Sequence, residues 1–365
     1  MPANFATKLS EGFAKRVLKV YFEDAVADEI TNKDYEGQIK DQTSKLNILT
    51  FAKMTLKNYT GANLTADTPQ ESVATLVTDQ QKAYYFAIKS LDTFKSWIDN
   101  PEGTLIDQNA GLLQEAVDLY VLSFWADAAS GNWLGTSYTT GTVAVTTGTG
   151  AVTGTGTTFT AAMATNKLPF KALGHTKWYR VASYTSATAI TIENDSDDET
   201  SSYDGGTISA GATYEIQANT AVALTKSNIY SYVVQCGIKL DQAKAPKKGR
   251  FIVFPSQAKV ALNAAPELIP AVPAAYGEVV KNGKVGMIDG MAVYVNEQVA
   301  GDNTSGYRVL FGHKSFLTFA LGFVESGVED LIGNFGKAYK GLTVYGGKVA
   351  DERRKMGGVL FATFS

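Results

Sequence analysis

Apolar and polar positions change period several times along the chain, and each change marks an element. Over residues 5 to 31 apolar residues return every fourth position at Leu9, Phe13, Val17 and Tyr21, which predicts an amphipathic helix. Such a stripe needs a surface to pack on, either the subunit's own core or a neighbouring subunit. From residue 44 to 57 the period falls to two, with Leu46, Ile48, Ala52, Met54 and Leu56 on one parity and Lys45, Asn47, Lys53 and Lys57 on the other. A polar segment from Asn58 to Pro69 follows, and then a second strand-like run from Val73 to Ile88. Two long strands joined by such a tip predict an extended hairpin. A two-stranded ribbon is marginal in water by itself, so the pattern also predicts something lying against it.

Pro101 opens the strongest helical pattern, with Ile106, Ala110, Leu113, Val117, Val121, Phe124 and Ala128 in one stripe down to Gly131. At 1.5 Å per residue that helix would span ~40 Å, more than an ordinary domain needs. Composition then shifts at about residue 136, and from Gly141 to Thr160 nearly every residue is Gly, Thr or Val. Low complexity alone would suggest disorder. Phe159, the run from Trp178 to Ala182, Ala189 to Ile192 and Tyr214 to Ile216 instead read as short strands between turns. Residues 136 to 218 are therefore expected to form a small β-sandwich or barrel inserted into a larger domain.

Beyond the insert, Thr225 is expected to cap a helix whose face carries Ile229, Val233, Cys236 and Leu240, ended by Pro246 and Gly249. Arg250 to Pro255 reads as a short buried strand, with a helix starting at Ser256. Between Lys281 and Val295, Gly283, Gly286 and Gly290 punctuate alternating apolar residues, the pattern of a tight strand turn. The chain closes on the apolar run from Gly358 to Phe364. The class is α+β.

Charge and chemistry narrow the picture by exclusion. The net charge is -3 over 365 residues, which gives no bulk electrostatic case for nucleic-acid binding. Cys236 is the only cysteine, so there is no internal disulfide framework, in keeping with a reducing cytoplasm. No apolar run reaches the length of a membrane-spanning helix, and the first residues lack the form of a signal peptide. His175 and His313, the two histidines, fall in different predicted domains without ligand-spaced partners, which argues against zinc and against a catalytic triad. Gly148, Gly150 and Gly154 miss the dinucleotide fingerprint by one residue and lie among strands. Acidic neighbours such as Asp197, Asp198 and Glu199 read as solvated charge. Lys247, Lys248 and Arg250, and Arg353, Arg354 and Lys355, are short basic clusters open to nucleic-acid contact, to intersubunit salt bridges or to solvent. Catalytic, cofactor and metal residues are expected to be absent.

The order of terminal helix, long hairpin, long helix and mixed domain resembles the major coat proteins of tailed double-stranded DNA phages, with the Hong Kong 97 (HK97-like) fold. Within that group it is similar to Salmonella-phage-type coats, which also carry an inserted β domain. The resembling segments are Leu76 to Lys89, Leu224 to Tyr230, Leu240 to Pro255, the glycine stretch from 283 to 295 and Lys340 to Val349. The insert, from Ala151 through Trp178 to Ile192, is similar to a small β module that recurs in virion proteins. The resemblance implies an N-terminal arm at 1–36, an extended loop at 37–96, a spine helix with peripheral domain at 97–135, the insert at 136–218, and an axial domain with return to the peripheral domain at 219–365. It further implies self-assembly into hexamers and pentamers that close an icosahedral shell around packaged DNA, in a virion assembled in the host bacterial cytoplasm.

Implied partners are other copies of the chain, a portal protein, possible decoration proteins and a separate scaffolding protein, the last because the arm begins almost at Met1. The arm residues Leu9, Phe13, Val17 and Tyr21, the loop residues Lys53, Lys57 and Tyr59, and Arg353 and Arg354 are candidates for subunit interfaces. Two alternatives stay open: the shell of an encapsulin-type nanocompartment and a phage tail-tube or fibre protein. The insert weighs against the first and the long helix against the second.

Overall fold

The computed structural model describes residues 26–33, 45–51, 58, 71–90, 101–195, 202–265, 284–333 and 335–365. In chain order the elements are α1 (Ala27–Ile30), β1 (Lys45–Phe51), β2 (Glu71–Val77), β3 (Gln80–Lys89) and the long helix α2 (Pro101–Ser123). Next come β4 (Trp133–Leu134), β5 (Thr136–Tyr138), β6 (Thr142–Val145), β7 (Ala151–Thr155), α3 (Ala161–Thr165), β8 (Pro169–Ala172), β9 (Tyr179–Ser186), β10 (Ala189–Asn194), β11 (Ile208–Ala212) and β12 (Tyr214–Thr220). The remainder is β13 (Val222–Leu224), α4 (Ile229–Gln242), β14 (Arg250–Phe254), α5 (Ala258–Ala264), β15 (Lys284–Ile288), β16 (Met291–Val295), β17 (Gly301–Asp302), β18 (Gly306–His313), β19 (Thr318–Asp330), β20 (Gly336–Lys348) and β21 (Gly357–Phe364). These fall into two compact units. One draws on residues within 32–114 and 318–352, the other on residues within 23–31, 115–317 and 353–365.

In the first unit β1 and β2 pair antiparallel, with Lys45 opposite Val77 and Phe51 opposite Glu71. The expected second strand from Val73 to Ile88 is in fact two. It breaks at Thr78 and Asp79, and β3 leaves the ribbon to pair with β20 over Gln80 to Lys89. The reason is a change of partner, since β19 and β20 form a hairpin of 13-residue strands that needs a third strand to cover its edge. Ile48, Leu76 and Ala320 form a small buried cluster that ties the ribbon to the base of this three-stranded sheet. On β3, Phe86 stacks on Tyr339 with ring centroids 5.2 Å apart, an aromatic cross-strand contact that reinforces the β3–β20 register.

The second unit contains two eight-stranded sheets. Its central sheet runs β13–β21–β18–β14–β16–β15, with β17 and β4 pairing at its margins, and it mixes parallel and antiparallel ladders. All five residues of β14 are buried, as befits a central strand covered on both faces. The helix α4 presents Ile229, Val233, Cys236 and Leu240, at helical spacing and each fully buried. Burying side chains of this size contributes about 1.5–3 kcal/mol apiece. Asn228, not Thr225, holds the N-cap position of α4. Thr225 lies one turn earlier, where its carbonyl accepts the N–H of Asn228 and of Ile229. Its own N–H donates to Asn228 Oδ1, so the turn forms before the helix begins. Similarly α5 starts at Ala258, two residues after Ser256, because Pro255 and Ser256 form a turn whose carbonyls accept the N–H groups of Ala258 and Lys259.

The other sheet, β11–β6–β7–β10–β9–β8–β12–β5, is antiparallel throughout and uses residues 136–220. The strands follow one hydrogen-bonded order from β11 to β5, and β11 and β5 are not paired to each other among the described residues. The Gly/Thr-rich stretch is ordered because its few apolar residues all face one way. Along β7 exposed and buried positions alternate strictly, with Val152 inward. Val143, Val145, Phe159, Met163, Phe170, Ile190 and Tyr214 complete that core.

The α2 helix ends at Ser123 and tightens to a 3-10 turn over Phe124 to Asp127, shorter than the stripe to Gly131 suggests. Its 23 residues span ~35 Å. Val121 and Leu122 are buried and Leu113, Val117 and Phe124 half-buried, whereas Leu112 and Leu119 on another face are exposed.

Candidate functional site

The glycine-punctuated stretch forms the β15–β16 hairpin. Asp289 and Gly290 make its two-residue turn with φ of 48° and 74°, the left-handed pair that a tight hairpin requires. Gly286, at φ 139°, sits where the β15–β16 register shifts by one residue. Gly283 lies outside the described residues, as do Leu9, Phe13, Val17, Tyr21, Lys53, Lys57, Tyr59 and the acidic run at 197–199. Of the terminal helix only Ala27–Ile30 is described. Backbone N–H groups of Val26 and Ala27 donate to the Asp118 carboxylate on α2, as does Asn296 Nδ2 at 2.7 Å.

The basic clusters turn inward. Arg250 is buried, donating to Asp241 at 2.7 Å and to the carbonyls of Pro246 and Ala245 that end α4. Arg354, an expected interface residue, is only 4% exposed. Its Nη2 donates to Asp195 Oδ1 at 2.6 Å and its Nε to the carbonyl of Asp127. The interface expectation for Arg354 is thereby corrected: burying a guanidinium requires an internal carboxylate, and Asp195 supplies it. Arg353 Nη1 reaches the carbonyl of Ser315 at 3.2 Å.

Asp195 is the centre of this arrangement. Besides Arg354 it accepts from Arg180 Nε at 2.8 Å and from the Ser130 N–H at 2.7 Å. Arg180 also donates to the carbonyls of Ala126 and Ala128 and lies 5.4 Å from the Trp133 ring. Burial works against the Asp195 carboxylate, but the two guanidiniums and the Ser130 N–H overcome it and hold the group below its ordinary range. One carboxylate thus joins β9 and the end of β10 to the turn after α2 and to the segment before β21. It mounts the antiparallel sheet on the rest of its unit. Sequence patterning could not find it, because Asp195 and Arg354 are 159 positions apart and each lies in a stretch that reads as surface charge.

His175 is exposed. His313 Nε2 lies 2.9 Å from the carbonyl of Lys248 and Nδ1 accepts from the Ser315 N–H at 3.1 Å, a pattern that fits the Nε2–H tautomer. Burial lowers its affinity for a second proton, as do the nearby Arg250, Arg353 and Lys314, against the Lys248 hydrogen bond. It latches two loops, and the Ser315 Oγ lies 2.7 Å from its Nδ1. Among the described residues no group of three or more His, Cys, Asp or Glu side chains is placed to hold a metal ion, and no helix is long and apolar enough to cross a membrane. Two cavities, of about 430 and about 390 Å³, open in the second unit, one beside Asp195 and Trp178, the other beside Arg308 and Trp125.

The exposed apolar side chains are the other notable surface feature. Ile332 and Phe335, at the turn between β19 and β20, are 101% and 91% exposed, and Val328 on β19 is exposed as well. Residues of this kind brought together at one tip are the usual mark of a contact surface.

No protein-family model matches the chain, and none of the curated proteins matches it. Solved structures do. The chain is similar to a protein of Mycobacterium phage Che8 at 14% identity and a TM-score of 0.59, over 99% of this chain and 98% of that one. It is similar to the capsid of Ralstonia phage GP4 at 11% identity and a TM-score of 0.55, over 97% and 94%. A third likeness, to the capsid of cyanophage P-SCSP1u, has 11% identity and a TM-score of 0.53 and covers 100% and 99%. The chain has the HK97-like phage capsid fold. At such low identity the likeness is one of architecture, so the capsid fold is kept while nearly every side chain differs. The long helix, the ribbon, the three-stranded sheet and the central mixed sheet all belong to the aligned length, as does the antiparallel insert.

Proposed function

We propose that this chain is a major capsid protein of a tailed double-stranded DNA phage. It assembles into hexamers and pentamers that close an icosahedral shell around packaged DNA. The observation that carries this reading is coverage of nearly the whole of both chains in the comparisons with capsids of Ralstonia phage GP4 and cyanophage P-SCSP1u. Residues 1–36 serve as arm, 37–96 as extended loop, 97–135 as spine and peripheral domain, 136–218 as insert and 219–365 as axial domain with the return strands. Two physical features support self-association: the exposed Ile332 and Phe335 tip, and a ribbon of two strands that needs a neighbour along its length. A net charge of -3 suits a shell that encloses DNA without gripping it. Assembly takes place in the bacterial cytoplasm with scaffolding and a portal protein, and the product is the virion.

Electron microscopy of the expressed chain, alone and with its scaffolding partner, tests the proposal. Closed icosahedral particles are expected. Helical tubes would overturn it in favour of a tail protein, and shells that load a cargo enzyme and lack a portal vertex would overturn it in favour of a nanocompartment.

A further inference from the structure

Four arginines are buried among the described residues: Arg180, Arg250, Arg308 and Arg354. Three have a carboxylate, Arg180 and Arg354 through Asp195 and Arg250 through Asp241. Arg308 has none. It is 9% exposed and its Nη1 is buried without a hydrogen-bond partner. Its guanidinium carbon lies 3.5 Å from the centre of the Phe361 ring and 5.4 Å from that of Trp125. Burial lowers its pKa to about 10, which still leaves it charged at neutral pH. A permanent charge held between two rings, with Nη1 lacking an acceptor, is poised to receive a planar anion.

The space for one is present. Arg308 lines the cavity of about 390 Å³, together with Trp125, Phe361, Asn166, Asn219 and Ser305. The wall behind it is shaped for the stack. Gly306 has φ 95°, and a side chain there would meet Ala221 Cβ at 2.7 Å as well as the Phe361 ring. We infer that the Arg308 cavity accepts an acidic side chain from a second copy of this chain, as an Arg–carboxylate contact between subunits. The inference rests on the proposed shell function for the nature of the neighbour. Charge favours that source, since acidic residues outnumber basic ones by 36 to 33 and every copy carries the excess. An acidic side chain also matches the planar, bidentate geometry of guanidinium.

The test compares wild type with Arg308→Leu and Arg308→Gln, measuring melting of the unassembled subunit and the yield of assembled particles without nucleic acid. Both variants should melt at or above the wild-type temperature, because a buried charge without a partner has been removed from the free subunit. Particle yield should fall about tenfold or more, as truncating one side of a buried charged contact does. Wild-type particles with undiminished variant yield would overturn this inference and leave the shell reading standing. A wild-type chain that never associates would overturn both. Failure of both variants to fold, or a yield loss that follows lowered melting, would make Arg308 a core residue and end the proposal. A fluorescent DNA duplex added to each protein covers the remaining source: loss of duplex binding in the variants, with assembly intact, would reassign the cavity to phosphate and overturn it as well.

Discussion

At the scale of single residues, two groups make the folded subunit sensitive to acid over separate ranges. His313 has a folded pKa below its ordinary 6.5, so the folded state binds fewer protons than the unfolded chain just below that value. Its contribution is complete above 6.5 and is lost as pH falls below it. The Asp195 carboxyl is held below its ordinary 3.8, so its contribution is complete above that value and lost as pH falls through the lower folded pKa. Urea unfolding from pH 8 to 3 should therefore show a first decline below 6.5, absent in His313→Gln, and a later one, absent in Asp195→Asn. At neutral pH Asp195→Asn should cost about 3–5 kcal/mol, because it removes the carboxylate that two buried guanidiniums share. An unchanged urea midpoint would show that the mount is not held by this carboxylate. Cys236 makes a third residue-level case. It is fully buried and burial pushes its thiol far up, so alkylating reagents should modify it only after unfolding. Labelling at the native-state rate of a free thiol would contradict the packing of α4.

At the scale of elements, periodicity identified faces better than partners. From Val73 to Gln81, and again from Tyr84 to Ile88, the even positions, among them Leu76, Thr78, Phe86 and Ile88, are the less exposed, and the odd ones, such as Val73, Val77 and Tyr85, face outward. That alternation runs unbroken through Thr78 and Asp79, where the chain leaves β1 for β20. A period of two reports which side of a strand is covered and carries no information about which strand covers it. The buried face of α4 was legible for the same reason, and the Asp195 mount was illegible because its partners are joined only by the fold. The β15–β16 turn lies between these cases, since a glycine after an aspartate signals a tight turn locally. Gly290→Val should cost about 1–3 kcal/mol, the strain of forcing a branched residue to φ 74°. Thermal melting checks it, and a neutral result would mean that the turn relaxes without consequence for the hairpin.

At the scale of the whole molecule, the distribution of apolar surface separates what holds the chain together from what folding leaves in water. Folding buries Val309, Phe311, Val359 and Leu360 in the central sheet and leaves Ile332 and Phe335 almost wholly in water. Covering two such side chains at a contact contributes about 1.5–3 kcal/mol each. In the proposed shell the same contact would recur in every subunit, so a small term per copy would become decisive for assembly while remaining irrelevant to folding. The double variant Ile332→Ser with Phe335→Ser should thus melt within about 0.5 kcal/mol of wild type, since neither residue touches the subunit core. Its concentration threshold for particle formation should rise at least about tenfold, given the several kcal/mol removed from each contact. Light scattering against protein concentration, with melting measured in parallel, separates the two effects. A raised threshold at unchanged melting would assign the tip to assembly. An unchanged threshold would mean that the β19–β20 turn stays in solvent after the shell closes, and the apolar contact between copies would then have to be sought among other exposed side chains, such as Leu112 and Leu119 of α2.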